Sequence, residues 1–427
     1  MFFGVFWRFE LLSRNSQISI KKALFSSEKP KSAIYKLHHS AFTAQPFSAP
    51  PLYLAAKYPK LIDSVDKYNN NGLHLAILQG HLNTVVFLIE DLDMDPEIRG
   101  KLERNGFVQA CSAGKFQIVN YLADNYRKLI DSFDKYNDTG LHLAAKHGSM
   151  KIVLFLIKEQ GSDPTVEGKL KRNAFLQACS GGNIEIVKYL AKRYRKLIDS
   201  VDEYNDNGLH LASLQCQMDT VVFLIETLKM DPAAKGYKGR NSYMKACEGG
   251  NTEIVKYLAT KYPTITESVD KNKDNGLHMA AMAGKMDTVV FLIEKLNMYP
   301  AAKGHWGRNS FIRACEGGNT EIVKYLAENY PTMIESVDGC RNNGLHLATT
   351  AGKMDTVLFL IEILNMDPSV KDHYRRNSFL KACEFGYTEI VMYLAKKYPT
   401  MINSVDKKNN NGLRLAAEAG TVASILY

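Results

Sequence analysis

One residue type recurs every 34 positions along most of this chain, each time directly before a short apolar run. Ten of the eleven occupants are Asn and one is Thr, and both favour the N-cap of a helix. A strict period of this length predicts a solenoid, because a unit this small buries its apolar face only by stacking on its neighbours. The eleven positions are Asn71, Asn105, Thr139, Asn173, Asn207, Asn241, Asn275, Asn309, Asn343, Asn377 and Asn411.

Each unit is predicted to contain two helices. Asn-Gly between apolar residues also favours a β-hairpin, but Ala174, Ser242 and Ser310 stand in place of Gly elsewhere, and the following residues have helical spacing. The second helix is longer and amphipathic, as at 186–190. The first helix is short and ends at a glycine suited to a left-handed cap. These glycines are Gly80, Gly114, Gly148, Gly182, Gly250, Gly284, Gly318 and Gly352.

Two kinds of unit alternate, so the duplicated segment is 68 residues long. Histidine units, capped at 71, 139, 207, 275, 343 and 411, read Gly-Leu-His in most copies, with Arg414 replacing the histidine in the last. Cysteine units, capped at 105, 173, 241, 309 and 377, read Ala-Cys. The repeated cysteines lie about 20 Å apart at about 10 Å per helix layer, whereas a disulfide needs roughly 7 Å. We expect buried free thiols in a reducing compartment at Cys111, Cys179, Cys247, Cys315 and Cys383.

The motifs of both helices resemble the ankyrin-repeat family. Gly-Leu-His-Leu-Ala at 72–76 is similar to the family's Thr-Pro-Leu-His-Leu-Ala, and Glu-Ile-Val-Lys-Tyr-Leu at 185–190 is similar to its second-helix signature. The resemblance covers about 51–427. It implies an all-α solenoid of stacked helix-turn-helix units with finger loops, a binding surface built from the fingers and first helices, and a structural role for His74, His142, His210, His278 and His346.

Charged residues repeat where the fingers are expected. Arg precedes the cap in every cysteine unit, and Asp begins the finger in every histidine unit. Because adjacent fingers stack in this family, we expect Arg-Asp pairs between units. The alternative is a basic stripe along the concave face that meets an acidic partner. The residues are Arg104, Arg172, Arg240, Arg308, Arg376, Asp66, Asp134, Asp202, Asp270, Asp338 and Asp406.

The finger tips vary most between units, and several carry an aromatic residue near an arginine. Aromatic and arginine side chains are typical anchors of protein interfaces, although some tips could be only solvated turns. The candidate partner-binding residues are Tyr68, Tyr136, Tyr204, Tyr237, Arg240, Trp306, Arg308, Tyr374 and Arg376.

Several function classes find no support in the sequence. The histidines lie 68 residues apart without a Cys, His or carboxylate cluster, so we expect no catalytic or metal site. The glycines around Tyr237 and Trp306 form no phosphate-binding loop, so no cofactor or small-molecule substrate is expected. No apolar run reaches the roughly 20 residues of a membrane span. Net charge is +9, of which residues 1–50 hold +5, and this distribution weighs against nucleic acid as the partner.

The two ends depart from the repeat. Residues 1–35 are expected to be a weakly structured leader, with a mitochondrial transit peptide as the alternative. Residues 36–66 are expected to be a degenerate opening half unit, since Pro46, Pro50 and Pro51 oppose its first helix. Residues 67–427 then form about eleven units, of which the last is truncated after Gly420.

We expect a non-enzymatic scaffold or adaptor that binds a partner protein along the concave finger and first-helix surface. Its expected location is the cytoplasm, with the nucleus or delivery into a host cell as alternatives. A second hypothesis is a targeting module of a multidomain enzyme or host-directed effector whose catalytic part is not in this chain. A weaker third is nucleic-acid binding through the arginine stripe.

Overall fold

The computed structural model describes residues 64–420. Within that range the chain forms 21 α-helices, while extended pairing is limited to two isolated bridges, such as the one between Phe133 and Thr139. The predicted all-α solenoid is therefore confirmed. The predicted leader at 1–35, nearly all of the half unit at 36–66 and the chain after Gly420 lie outside the described residues, and so do the residues of the transit-peptide alternative.

Two helices per unit follow one another in the predicted order. The first helices are α1 (Gly72–Gln79), α3 (Gly106–Ser112), α5 (Gly140–His147), α7 (Ala174–Gly181), α9 (Gly208–Leu214), α11 (Ser242–Gly249), α13 (Gly276–Met282), α15 (Ser310–Gly317), α17 (Gly344–Thr350), α19 (Ser378–Phe385) and α21 (Gly412–Glu418). The second helices are α2 (Leu82–Glu90), α4 (Phe116–Asn125), α6 (Met150–Lys158), α8 (Ile184–Arg193), α10 (Met218–Glu226), α12 (Thr252–Lys261), α14 (Met286–Glu294), α16 (Thr320–Asn329), α18 (Met354–Leu358, continued by a π turn at Phe359–Ile363) and α20 (Thr388–Lys397).

The repeated Asn and Gly residues set the ends of the first helices. The Asn105 side chain accepts a hydrogen bond from the amide of Val108 at 3.0 Å, and Asn241 does the same for Met244. This bond satisfies one of the amides that a helix N-terminus leaves without a partner. At the other end, the predicted glycines all have positive φ, as at Gly80 (86°). The predicted caps are therefore confirmed at both ends.

The core is a continuous layer between the stacked first helices and the second helices. Each first helix packs against the first helices of adjacent units and against the second helix of its own unit. The amphipathic second helices contribute fully buried residues such as Val119, Leu122, Val187 and Leu190. Burial at each layer depends on the next unit, so stability is shared between neighbours along the array.

The five repeated cysteines lie in this core. All five are buried thiols that form no disulfide, and burial raises their pKa, for Cys383 to about 12. Each sulfur faces the first glycine of the next histidine unit: a Cβ added at Gly140 would lie 2.8 Å from the Sγ of Cys111. The cysteine therefore fills a space that glycine leaves open, which confirms the prediction of a small buried side chain.

Candidate binding surface

The finger of each histidine unit is built around one aspartate, which is buried in every unit but the first. The carboxylate of Asp134 accepts hydrogen bonds from the amides of Tyr136 (2.9 Å) and Asp138 (3.2 Å), and its own amide donates to the carbonyl of Asp138. Asp66, Asp202, Asp270, Asp338 and Asp406 hold their fingers in a similar way. The tip backbone is thus fixed by local hydrogen bonds.

The first four cysteine-unit fingers have two consecutive residues in the left-handed region, whereas each histidine-unit finger has one. Leu102 and Glu103 have φ of 61° and 58°, and Trp306 has φ of 57° before Gly307. For a bulky residue this conformation costs roughly 1–2 kcal/mol. A hydrogen bond to the next finger offsets this cost, because the carbonyl of Leu102 accepts a hydrogen bond from the amide of Lys135 at 2.9 Å. Equivalent bonds join every later cysteine-unit finger to its successor. Across the other junctions a finger amide donates to a side chain or a carbonyl of the preceding finger, as Lys169 does to the carboxylate of Asp138, so the fingers form one connected edge.

The predicted Arg-Asp pairs between units are confirmed. The guanidinium groups lie 2.9–3.4 Å from the carboxylate oxygens of the following finger, and the aspartate side chains are almost fully buried. The five pairs are Arg104–Asp134, Arg172–Asp202, Arg240–Asp270, Arg308–Asp338 and Arg376–Asp406.

Three of these arginines are also candidate partner-binding residues. Arg240, Arg308 and Arg376 each hold a second carboxylate, that of Glu248, Glu316 or Glu384 on the first helix. Their side chains are only 11–22% exposed. The guanidinium of Arg308 lies 5.3 Å from the Trp306 ring centre, and Arg376 lies similarly near Tyr374. The structure therefore assigns them a supporting position beneath the tips, and direct contact with a partner stays a prediction.

All six predicted aromatic residues are exposed at the finger tips. Their exposed fractions run from 37% for Tyr136 to 56% for Trp306. Tyr204 and Tyr237 form an edge-to-face pair with ring centres 5.1 Å apart, whereas no ring contact joins Tyr68, Tyr136, Trp306 or Tyr374 to another of the six within the described residues. The aromatics are thus distributed along the edge, and they form no single cluster.

Lysines from two successive fingers lie beside these rings, and those of the following finger, Lys101 and Lys169, were not predicted from the sequence. The ammonium groups of Lys67 and Lys101, on successive fingers, lie 5.0 and 4.6 Å from the Tyr68 ring centre. Lys135 and Lys169 flank Tyr136 in the same way, at 4.8 and 3.9 Å. Such cation-π contacts orient otherwise flexible side chains. Counting charge by repeat position, instead of by chain segment, would have found these residues.

The repeated histidines connect neighbouring units. The Nε2 of His210 donates to the carbonyls of Ala234 (3.0 Å) and Arg240 (3.2 Å) in the next finger, and its Nδ1 accepts the amide of Asn207. Burial lowers the pKa of His210, which favours a neutral imidazole. The structural role implied by the resemblance is confirmed.

A second set of buried charges lies at the base of the fingers. The ammonium of Lys245, on α11, lies 2.6 Å from the carboxylate of Asp206, and Arg313 on α15 pairs in the same way with Asp274. Sequence reasoning did not identify this set. Arg313 also lines a shallow depression between units, together with Met282.

Residues 64–420 contain neither a membrane-spanning helix nor a cluster of metal ligands. No helix there is long and apolar enough to cross a membrane. No group of three or more His, Cys, Asp or Glu side chains is placed to hold a metal ion in that range.

Known proteins share the repeat. The chain is 26% identical over 49% of its length to the ankyrin repeat and KH domain-containing protein mask-1 of Caenorhabditis elegans, covering 8% of that protein. It is 24% identical over 48% of its length to a transient receptor potential cation channel subfamily A member 1 homolog of the same organism, covering 16%. It is 23% identical over 60% to the putative ankyrin repeat protein L56 of Acanthamoeba polyphaga mimivirus, covering 53%. The chain therefore spans about half of these relatives' length or much less.

A family model agrees with the repeat observed in the structure. The model described as "Ankyrin repeats (3 copies)" matches residues 73–168, 141–236, 227–300, 243–338 and 277–372. These overlapping matches cover the chain continuously from 73 to 372, well over half of its length. Together with the stacked helix pairs and connected fingers, the matches show that the chain belongs to the ankyrin-repeat family.

Proposed function

We propose that this chain is a non-enzymatic scaffold that binds a partner protein along its fingers and first helices. The observation that carries the proposal is the row of six exposed aromatic side chains on tips that are joined by hydrogen bonds between successive fingers. Exposed aromatics on a rigid backbone lose little conformational entropy when they are covered, which favours their use as interface anchors. Membership of the ankyrin-repeat family supports an interaction module of this general kind.

Affinity purification with a tip variant tests this function. The variant replaces Tyr204, Tyr237, Trp306 and Tyr374 with Ala, and bound proteins are quantified by mass spectrometry against the unaltered chain. We expect loss of most partner recovery, since several anchors are removed at once. A control variant replaces Tyr189 and Tyr299, two aromatic residues outside the finger tips, with Ala. This control should retain the partners. Unchanged recovery by the tip variant would show that these aromatics do not form the binding surface.

A second candidate function is that of a recognition module within a longer protein, such as an enzyme or a host-directed effector. It is favoured by the relatives, since the chain covers only 8% of a protein also named for a KH domain and 16% of a channel homolog. Sequencing full-length transcripts from the source organism tests this idea. A transcript that encodes a further domain in frame supports it, whereas transcripts that encode only these 427 residues contradict it.

A further inference from the structure

Positive charge is concentrated on the finger tips. We define the tips as the three residues at the end of each finger: 67–69, 101–103, 135–137, 169–171, 203–205, 237–239, 271–273, 305–307, 339–341, 373–375 and 407–409. These 33 residues include twelve Lys or Arg and only two acids, Glu103 and Glu203. The tips thus carry a net charge of +10, although the described residues together, with 45 basic and 42 acidic side chains, carry only +3.

These cations are available to a partner. Eleven of the twelve are exposed, and Lys169, which packs on Tyr136, is half-buried. No carboxylate among the described residues pairs with any of the twelve, in contrast to the arginines beneath them. The contact with Tyr68 or Tyr136 holds the nearby ammonium groups in place, so less entropy is lost when an anion binds. The tips therefore form a row of positively charged side chains, some of which are already held in place.

The remaining described residues distinguish between classes of anion. Outside the tips they carry a net charge of −7. A nucleic-acid duplex or an anionic membrane is wider than a single row of tips and would also meet residues outside the tips, whose net charge is negative, and proteins that bind nucleic acid are usually far more basic overall. A narrow polypeptide can follow the row and contact mainly the tips. Charge complementarity of this kind selects partners and sets their orientation.

We infer that the finger tips bind an extended acidic segment of a protein partner, which runs along the edge of the array. This inference rests on the proposed scaffold function and specifies the chemistry of its partner. Eleven units at about 10 Å per layer give an edge on the order of 100 Å. An extended chain advances roughly 3.3 Å per residue, so a segment of about 30 residues spans the whole row.

Binding measurements with a defined probe test the inference. The probe is a fluorescent 30-residue peptide in which Glu alternates with Ser, and the same peptide with Gln in place of Glu measures binding that does not depend on charge. The tip variant replaces Lys67, Lys135, Lys271 and Lys407 with Glu in the full chain. We expect it to bind the acidic peptide at least tenfold more weakly than the unaltered chain, and we expect little binding of the Gln peptide by either protein.

The matched control places the same charge change elsewhere. It replaces Lys192, Lys256, Lys295 and Lys324, exposed lysines outside the fingers, with Glu. Its affinity should stay within twofold, and circular dichroism checks that both variants fold. Equal weakening by the two variants would overturn the inference, since only net charge would then matter. Tighter binding of a 30-nucleotide single strand, or of vesicles containing phosphatidylserine, would instead assign the tips to nucleic acid or to membranes.

Affinity purification separates failure of this inference from failure of the proposed function. If the unaltered chain and the lysine tip variant recover the same proteins, the scaffold function stands and the acidic-segment inference fails. If the unaltered chain recovers no specific protein, the scaffold function itself fails.

Discussion

Cys216 occupies a position where the repeat otherwise has glycine. Its counterparts Gly182 and Gly250 end their first helices with positive φ, and Cys216 adopts the same left-handed conformation, with φ of 63°. The Sγ of Cys216 lies 3.5 Å from the carbonyl of Gly249 in the next unit. A side chain in this conformation carries backbone strain that glycine does not.

Cys216→Gly should therefore stabilise the array. We expect the free energy of unfolding to rise by about 1 kcal/mol, because the steric penalty of the left-handed conformation disappears. Equilibrium denaturation in guanidinium measures the change. Cys216→Ala is the matched control, since it removes the sulfur but keeps the Cβ. A similar gain in both variants would trace the effect to the thiol and not to the backbone.

His346 predicts a dependence of stability on pH. Burial, aided by the nearby Lys381 and opposed by Asp372, lowers its pKa to about 4. The unfolded chain, with a histidine pKa of about 6.5, then binds more protons than the folded chain between these values. Stability should fall as the pH drops from about 6.5 to about 4, by about 3 kcal/mol in all for this residue.

Nuclear magnetic resonance titration of the His346 ring, combined with denaturation at several pH values, measures this effect. His346→Gln should reduce the slope of stability against pH, since glutamine can still donate a hydrogen bond but does not titrate. An imidazole that titrates near pH 6.5 in the folded protein would contradict the prediction.

At the scale of elements, the buried carboxylate at the base of the fingers occupies one of two positions, depending on the unit. In three histidine units the residue directly before the cap is an aspartate, and the next finger begins with glycine. These aspartates are Asp138, Asp206 and Asp274. A Cβ on Gly236 would lie 2.1 Å from the carboxylate of Asp206, so glycine is needed there. In a later pair of units Asn342 stands before the cap, and Asp372 stands where the next finger begins. The carboxylate of Asp372 lies 2.9 Å from the ammonium of Lys381. In this pair the carboxylate therefore lies on the neighbouring finger, and it still neutralises the buried ammonium of Lys381.

Asp372→Gly should destabilise the array by about 3 kcal/mol, because Lys381 would remain buried without a carboxylate. Adding Asn342→Asp should recover most of that loss, since it restores the arrangement around Lys245. The two variants are compared by guanidinium denaturation, with Asn342→Asp alone as the control. A double variant as unstable as Asp372→Gly would show that the two carboxylate positions are not equivalent.

The same elements show how far the sequence was informative. Caps such as Asn105, the His210 links and the Cys111 position were predictable, because each signal lies within one unit and recurs in register. The Lys245–Asp206 pair was not, since 39 residues separate its members and a lysine in an amphipathic helix is normally exposed. The left-handed Trp306 was also not predictable, because the hydrogen bond to the next finger imposes its conformation. The excess of positive charge at the tips was not predicted, because the net charge of a segment does not show on which edge its charges lie.

For the whole molecule, stability depends on contacts between neighbouring units. A Cβ on Gly276 would lie 2.8 Å from the Sγ of Cys247 and 3.0 Å from the Tyr243 ring, near the middle of the array. Gly276→Ala should weaken this interface by about 2 kcal/mol through overpacking. The two halves should then unfold in separate steps, since coupling between neighbours is what makes the array cooperative.

Hydrogen exchange measured by mass spectrometry checks this prediction. We expect faster exchange in the units beside Gly276 than in distant ones, and a broader denaturation curve. Cys247→Ala in the Gly276→Ala background should restore much of the cooperativity, since it removes the closest clashing atom. A single sharp transition in the Gly276→Ala chain would contradict nearest-neighbour coupling at this interface.

The alternation of glycine and cysteine across each interface also limits how the gene can change length. Every described histidine unit begins its first helix with glycine, whereas the later cysteine units begin theirs with Ser242, Ser310 or Ser378. Loss of one 34-residue histidine unit by unequal recombination would place such a serine against a cysteine that has space only for glycine. Loss or gain of 68 residues would leave every junction as it is. Alleles and close paralogues of this array should therefore differ in length by whole pairs of units.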